Sequence, residues 1–398
     1  MHANFNAALI DNTWLLAAVW MSLAFIGALV SIRFKVSAAL IEIVLGIIAG
    51  NFIALKTNSW IDFVAGFGSI MLTYLAGSEI SPSVLRGQWR PAALIGALSF
   101  GIPFLAAMAY ASLVGHWSLN AAKVAGVAMS TTSVAVVYAV MLESGLSGKN
   151  FGQLILAACF ITDLGTVVAL GLLFATYNAW LVLFLGASLA GVLLIPKYLP
   201  SVFIKFGDRV SEPGARLLFA IIFALAGLAT LAQSEGVLPA YLLGFASAGF
   251  LLAHIEFARR LRTTTMSLLT PFYFIKAGTY VSIVQVVAGI KTIVALFFVK
   301  VLAKIVGVWP AARGFRYSPT DASYLTLMMA TGLTFGTISS LYGLSHHYID
   351  QAQYSSLVTV VIATAIIPTL IAQLHFPPTQ EVLEAESGSL EEIEVART

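Results

Sequence analysis

Residues 121–175 read AAKVAGVAMSTTSVAVVYAVMLESGLSGKNFGQLILAACFITDLGTVVALGLLFA. Two long apolar runs fill this stretch. The first is interrupted at its middle by Ser130, Thr131, Thr132 and Ser133, and the second holds a lone carboxylate, Asp163. Read as two membrane spans, both features are expensive, because hydrocarbon offers polar groups no water and leaves a carboxylate either paired or neutral. Asp163 is therefore a functional candidate. The competing reading makes it a packing group satisfied by a neighbouring polar side chain.

The whole composition agrees with that assignment. Of 398 residues, 59% are hydrophobic and 10% charged, with a mean hydropathy of +0.93. A soluble domain carries about 25% charged residues, so an all-α polytopic membrane protein is expected. The single Cys159 supports neither a disulfide nor a metal framework. The start, MHANFNAALIDNTW, lacks a basic region, and the first apolar run is followed by Arg33 and Lys35, so that run is expected to be a span and not a cleaved signal.

About thirteen transmembrane helices are expected, at 14–31, 37–55, 60–78, 91–113, 119–142, 151–176, 179–196, 214–232, 236–253, 267–286, 289–309, 322–345 and 354–375. The count can be checked against charge. Connections after odd-numbered spans hold Arg33, Lys35, Arg86, Arg90, Lys149, Lys197, Lys205, Arg209, Arg216, Arg259, Arg260, Arg262, Arg313 and Arg316, whereas the others hold little beyond Lys56. Basic residues mark the cytoplasmic side, which puts the N-terminus outside and the C-terminus in the cytoplasm. The acidic tail 376–398, with Glu381, Glu384, Glu386, Glu391, Glu392 and Glu394, is expected to be disordered. No phosphate-binding glycine motif occurs in a cytoplasmic connection, so an ion gradient is a better energy source than ATP.

Further ionisable residues lie in the spans: Glu42, Glu79, Lys123, Lys276, Lys300 and Lys304. Lys123, Lys291 and Lys300 are read as snorkelling to an interface. Lys304 resists that reading, because it sits inside KVLAKIVGVW (300–309) with Gly307 three residues on. Glu42 and Lys276 are expected to pair, on depth and opposite charge. The twelfth span has its own break: residues 326–342 read TLMMATGLTFGTISSLY, with Gly332 and Gly336 around Thr334. Glycines and hydroxyls at that depth suit a discontinuous helix, and the Ser130–Ser133 run is its counterpart. Two intact helices joined by hydroxyl hydrogen bonds are the alternative.

These motifs together resemble the monovalent cation:proton antiporter-2 (CPA2) family, the Kef- and NapA-like sodium or potassium/proton antiporters. The resemblance is carried by Gly77, Ser78 and Glu79; by Ser130, Thr131, Thr132, Ser133 and Val134; by Thr162, Asp163, Leu164 and Gly165; by Pro271, Phe272, Tyr273, Phe274 and Gly278; by Lys304 and Gly307; and by Gly332 to Gly336. It covers the chain up to about residue 375. The fold it implies is two inverted repeats with crossed discontinuous helices, the NhaA-like fold. On that pattern, 1–90 and 177–286 form scaffold and dimerisation helices, while 91–176 and 287–375 form the core.

The implied function is exchange of Na+ or Li+ for H+ across the cytoplasmic membrane, with cation and proton competing for Asp163 and with Thr131 and Thr132 beside it. Thr162, Ser130, Lys304, Glu79, Gly332 and Gly336 are implied as supporting residues. Relatives that move net charge have two adjacent acidic residues, whereas this chain has Thr162 before Asp163, so an electroneutral one-for-one cycle is expected. Lys304 then lacks an acidic partner and is expected to bond to Thr162 or to a helix end. No cofactor is expected; the partners are the transported cation, the proton, membrane lipid and a second copy of the chain, with no nucleic acid and no enzymatic activity.

Potassium in place of sodium is the first alternative. The lean to sodium rests on the nucleotide-binding domain that potassium systems of the Kef kind usually carry. A sodium-coupled organic-anion symporter and a passive channel are further alternatives. A membrane-embedded enzyme would need a metal cluster or dyad, and His346 and His347 near Asp350 lack a further ligand.

Overall fold

Apolar segments in a bilayer must satisfy their backbone internally, so each expected span should be a helix. The computed structural model describes residues 12–34, 37–78, 82–144, 146, 149–174, 178–206, 209, 211–232, 236–380 and 382. Among these, helices dominate and no strand occurs.

In chain order the helices are α1 (Thr13–Phe34), α2 (Ala38–Ile48, extended by a π-turn over Ala49–Ile53), α3 (Ser59–Ser78), α4 (Pro82–Leu113), α5 (Leu119–Ser130), α6 (Val134–Glu143) and α7 (Asn150–Leu173). There follow α8 (Ala179–Phe206), α9 (Pro213–Leu231), α10 (Val237–Ala253), α11 (Ile255–Thr264), a π-turn at Thr265–Leu269, and α12 (Thr270–Thr279). The chain closes with α13 (Ile283–Ala288), α14 (Ile290–Gly314), α15 (Pro319–Met329), α16 (Thr334–Ser345) and α17 (Gln351–His375).

Nine helical stretches among the described residues are long and apolar enough to cross a membrane, and 38–53 and 239–253 are shorter apolar helices. The fifth expected span is split into α5 and α6, and the twelfth into α15 and α16. The tenth departs from expectation. Helix runs from Ile255 to Thr279 through the π-turn, and a separate short α13 starts where the Ser282 hydroxyl accepts from the Gln285 amide.

The chain divides into two compact units, Met1–Ser81 with Val167–Tyr280, and Pro82–Thr166 with Val281–Thr398. In the first unit α2 packs on α12 and α3 on α10. The α2–α12 contact is set by a reciprocal glycine pair. A Cβ on Gly46 would lie 2.2 Å from the Ile275 carbonyl oxygen, and one on Gly278 would lie 2.1 Å from that of Ile43. Only the missing side chains let these backbones approach so closely.

The same unit corrects one expectation. Lys276 does not pair with Glu42; its Nζ lies 2.7 Å from Asp62 Oδ1, at the first turn of α3. Glu42 is buried, its stem against Gly27 of α1. A partly wet ion pair at a helix start is cheaper than one built at depth, and the carboxylate also suits the positive end of α3.

In the second unit α4 packs against both α5 and α14, α16 against α5, and α15 and α17 against α14. The first residues of the acidic tail, expected to be disordered, are placed here. The Asp321 carboxylate accepts from the Thr379 backbone N–H (2.9 Å) and hydroxyl (2.8 Å), and Phe376 and Val382 pack on the buried apolar cluster beneath. Residues 381 and 383–398 lie outside the described residues, as does Glu79.

Candidate functional site

The two interrupted helices break for a local reason. At the end of α5, the Ser130 hydroxyl donates to the Val127 carbonyl (2.7 Å) and the Thr131 hydroxyl to that of Ala128 (2.9 Å). Side chains thus satisfy acceptors that the next helical N–H groups would otherwise take. The chain is extended at Thr131 (φ −62°, ψ 152°) and resumes a helix at Val134. At the second break the Thr331 hydroxyl donates to the Met328 carbonyl (2.8 Å), Leu333 leaves helical geometry, and α16 begins at Thr334.

The breaks meet. The Thr132 hydroxyl donates to the Met329 carbonyl (3.0 Å), and the Ser133 amide reaches the Thr331 hydroxyl (3.5 Å). Two helix C-termini, α5 and α15, and two N-termini, α6 and α16, therefore converge on a few buried residues. Each terminus presents backbone groups outside the helical ladder and a partial charge from the helix dipole.

Lys304 of α14 is fully buried at this junction. Its ammonium donates to the Ser130 carbonyl (2.7 Å), the Ser99 hydroxyl (2.8 Å) and the Thr132 hydroxyl (3.2 Å). A lysine has three donors, and here all three are used on neutral oxygens, one of them at the negative end of α5. Gly307, one turn on, seats α14 against α4, where an added Cβ would sit 3.1 Å from the Leu98 carbonyl oxygen.

Asp163 lies on α7, 1% exposed, and its Oδ1 has no hydrogen-bond partner. Lys304 is a positive charge within electrostatic reach of it. The preceding Thr162 turns away, donating to the Ala158 carbonyl (3.0 Å) and the Gly96 carbonyl (3.3 Å). The expected Lys304–Thr162 bond is therefore absent, and of the two partners expected for that lysine the helix end is the one it has. Gly332 and Gly336 both face Thr131: a Cβ on either would lie about 3 Å from its hydroxyl oxygen, at 3.0 and 3.1 Å.

The arrangement thus brings Ser130, Thr131, Thr132, Lys304, Gly332 and Gly336 together, with Asp163 in the electrostatic field of the lysine. It supplies a carboxylate, hydroxyl oxygens and backbone carbonyls, a donor set of hard oxygens suited to an alkali cation or a proton.

Residues 21–375 match the family described as sodium/hydrogen exchanger, transmembrane. The chain belongs to that family. Among relatives of this sodium/hydrogen exchanger, the Na+/H+ antiporter of Enterococcus hirae is 23% identical over 363 residues, spanning 87% of this chain and 93% of its own. The Na+/H+-K+ antiporter GerN of Bacillus cereus is 21% identical over 376 residues, 89% and 94% of the two chains. The fold matches that of the sodium proton antiporter MjNhaP1 from Methanocaldococcus jannaschii, solved at pH 8, with a TM-score of 0.69, 14% identity, and coverage of 96% of this chain and 100% of the other.

Two residues of this exchanger's crossing escaped the sequence reading. Ser99 looks like an ordinary small residue in an apolar helix, yet it is one of the three acceptors of Lys304. Lys300 was read as an interfacial lysine, but it is fully buried and its ammonium has no hydrogen-bond partner. Its spacing of four from Lys304 was the available signal, since residues four apart share a helix face. The paired histidines stay outside this chemistry. Asp350 caps α17 by accepting from the Gln353 amide (2.8 Å), and His346 Nδ1 lies 3.1 Å from the Tyr342 carbonyl oxygen.

Proposed function

We propose that this chain is a secondary antiporter that exchanges Na+ for H+, with Asp163 as the group for which cation and proton compete. The observation that carries the reading is the buried, unpartnered Oδ1 of Asp163, in electrostatic reach of Lys304, which is itself bonded at the crossing of the two broken helices. A buried polar atom without a partner calls for an explanation, and a carboxylate oxygen that alternately takes a proton and an alkali ion supplies one.

The cycle needs no covalent step. Either loaded form of Asp163 crosses the low-dielectric core more cheaply than the empty carboxylate, so the two ions move in opposite directions. Thr131 and Thr132 supply hydroxyl and carbonyl oxygens to the cation. Their own hydroxyl protons are committed to Ala128 and Met329, which leaves oxygen lone pairs as acceptors. Lys304 fixes the end of α5 and balances the carboxylate. Gly332 and Gly336 let the second break lie close to Thr131.

One carboxylate at the site gives a one-for-one, electroneutral exchange. Within the family, the motif set supports the CPA2, Kef- and NapA-like branch as the reading. Residues 91–176 and 287–375 are read as the moving core and 1–90 and 177–286 as the scaffold, which also forms a homodimer; the division of the chain into two compact units supports that reading. The N-terminus is external and the C-terminus cytoplasmic, on the placement of the basic connections. Potassium is kept as a second cation because the Bacillus cereus relative is named for K+ as well as Na+.

Purified protein in liposomes with an internal pH dye tests this. Adding Na+ or Li+ should dissipate an imposed proton gradient, K+ less so, and clamping the membrane potential should not change the rate. Undiminished exchange in Asp163→Asn would refute the site, and a rate that follows the clamped potential would refute the one-for-one stoichiometry.

A further inference from the structure

The function above uses one lysine of α14 and leaves the other unexplained. Lys300 is 0% exposed, and its Nζ has no hydrogen-bond partner. It lies one turn before Lys304 on the same face, and the two ammonium groups interact electrostatically. Lys304 shows what a lysine looks like here when it serves as a strut: three donors on three acceptors. Lys300 has none.

Its position is specific all the same. A Cβ built on Gly332 would lie 2.1 Å from Lys300 Nζ and also 3.0 Å from the Thr131 hydroxyl oxygen and 3.3 Å from the Thr131 carbonyl oxygen. The ammonium, the second helix break and the oxygens of the first break thus share one small volume, which exists because residue 332 has no side chain. A side chain there would meet the ammonium head first, and the flexible end of the lysine would have to move aside.

We infer that Lys300 is a tethered cation whose charge opposes the transported ion at the oxygens around Thr131, and that Gly332 leaves the room its head occupies. The inference rests on the cation site proposed above and adds a residue that sets how weakly that site holds its cargo. A positive charge held beside those oxygens without bonding to them repels an incoming cation and weakens its binding there. An exchanger gains from this, because a cation bound too tightly is not released on the far side.

The test is the KM for Na+ in proteoliposomes for Lys300→Met, Lys300→Gln and Lys300→Arg, with Asp163→Asn in parallel. Removing the charge in Met or Gln should lower KM about tenfold while the maximal rate stays level or falls, whereas Arg should keep KM at or above the wild-type value. Sodium should also protect the Met and Gln variants against thermal unfolding in detergent at lower concentration than it protects the wild type. A KM that is unchanged or higher in both neutral variants overturns the inference. So does loss of folded protein in both while Arg folds, which would make Lys300 a structural group. If Asp163→Asn still exchanges, the proposed site itself is wrong; if it is silent while the Lys300 variants keep the wild-type KM, only the opposing role of Lys300 fails.

Discussion

Lys276 and Lys304 are both lysines set in apolar helices, and they are held in opposite ways. Lys276, in the first unit, has a carboxylate partner, Asp62, at 2.7 Å, and the pair is partly exposed, at 15% and 46%. Lys304, in the second unit, is completely buried and is held only by two hydroxyls and a helix-end carbonyl. A charge with its own counter-charge is neutralised and static. A charge resting on neutral oxygens still projects its field onto whatever lies nearby, which here is Asp163. Packing follows the same division: a glycine pair brings α2 and α12 into backbone contact in one unit, while hydroxyls join the broken helices in the other.

The sharpest way to break this contrast is at the carboxylate. Asp163→Asn removes the competition between cation and proton, and Na+-driven exchange should fall to the level of protein-free liposomes, as read by the pH dye. Next in size is Lys304→Met. It strands three buried acceptors and should cost about 3 kcal/mol of stability, seen as a lower melting point in detergent. Substitution at the other lysine should do far less.

Gly278→Ala probes the packing half of the contrast. Its Cβ would press on the Ile43 carbonyl oxygen at 2.1 Å, and overpacking of that kind costs about 1–3 kcal/mol. Melting should drop while the KM for Na+ stays put in whatever protein folds. Thr379→Ala removes one of the two hydrogen bonds that Thr379 donates to Asp321 and should cost about 1 kcal/mol, measured the same way. The smallest effect belongs to the pair at Lys276. Either Lys276→Met or Asp62→Asn should change stability by about 0.5 kcal/mol and leave exchange intact, because partly exposed ion pairs are worth little. An exchange defect from Lys276→Met equal to that of Lys304→Met would collapse the contrast.

Much of this was legible in the residues, and the exceptions are instructive. The helix breaks at Ser130–Ser133 and around Gly332 could be read because hydroxyls and glycines are costly in mid-membrane unless they interrupt a helix. Most helical segments could be read from hydropathy; the tenth could not, because its helix starts in the polar stretch at Ile255 and ends at Thr279. Depth and opposite sign, by contrast, suggested Glu42 for Lys276, and the partner is Asp62, a residue at a helix start that no periodicity singles out. Lys304 was expected at Thr162 or a helix end. It took the helix end, because Thr162 satisfies itself on the carbonyls of Ala158 and Gly96. Ser99 carried no signal at all, since a lone serine in an apolar helix usually bonds to its own backbone.

The amino-acid sequence by itself determined that this chain is a bundle of membrane helices, where two of them break, and which carboxylate sits within them. Those are matters of local cost: how many apolar residues span a bilayer, which residues cannot continue a helix there, and what a charge pays in hydrocarbon. Only the tertiary structure decided which oxygen each lysine meets and that Lys300 meets none. Partners in three dimensions depend on the rotation and register of helices 172 to 205 residues apart in sequence, as between Lys304 and its acceptors Thr132, Ser130 and Ser99, and hydropathy is blind to both.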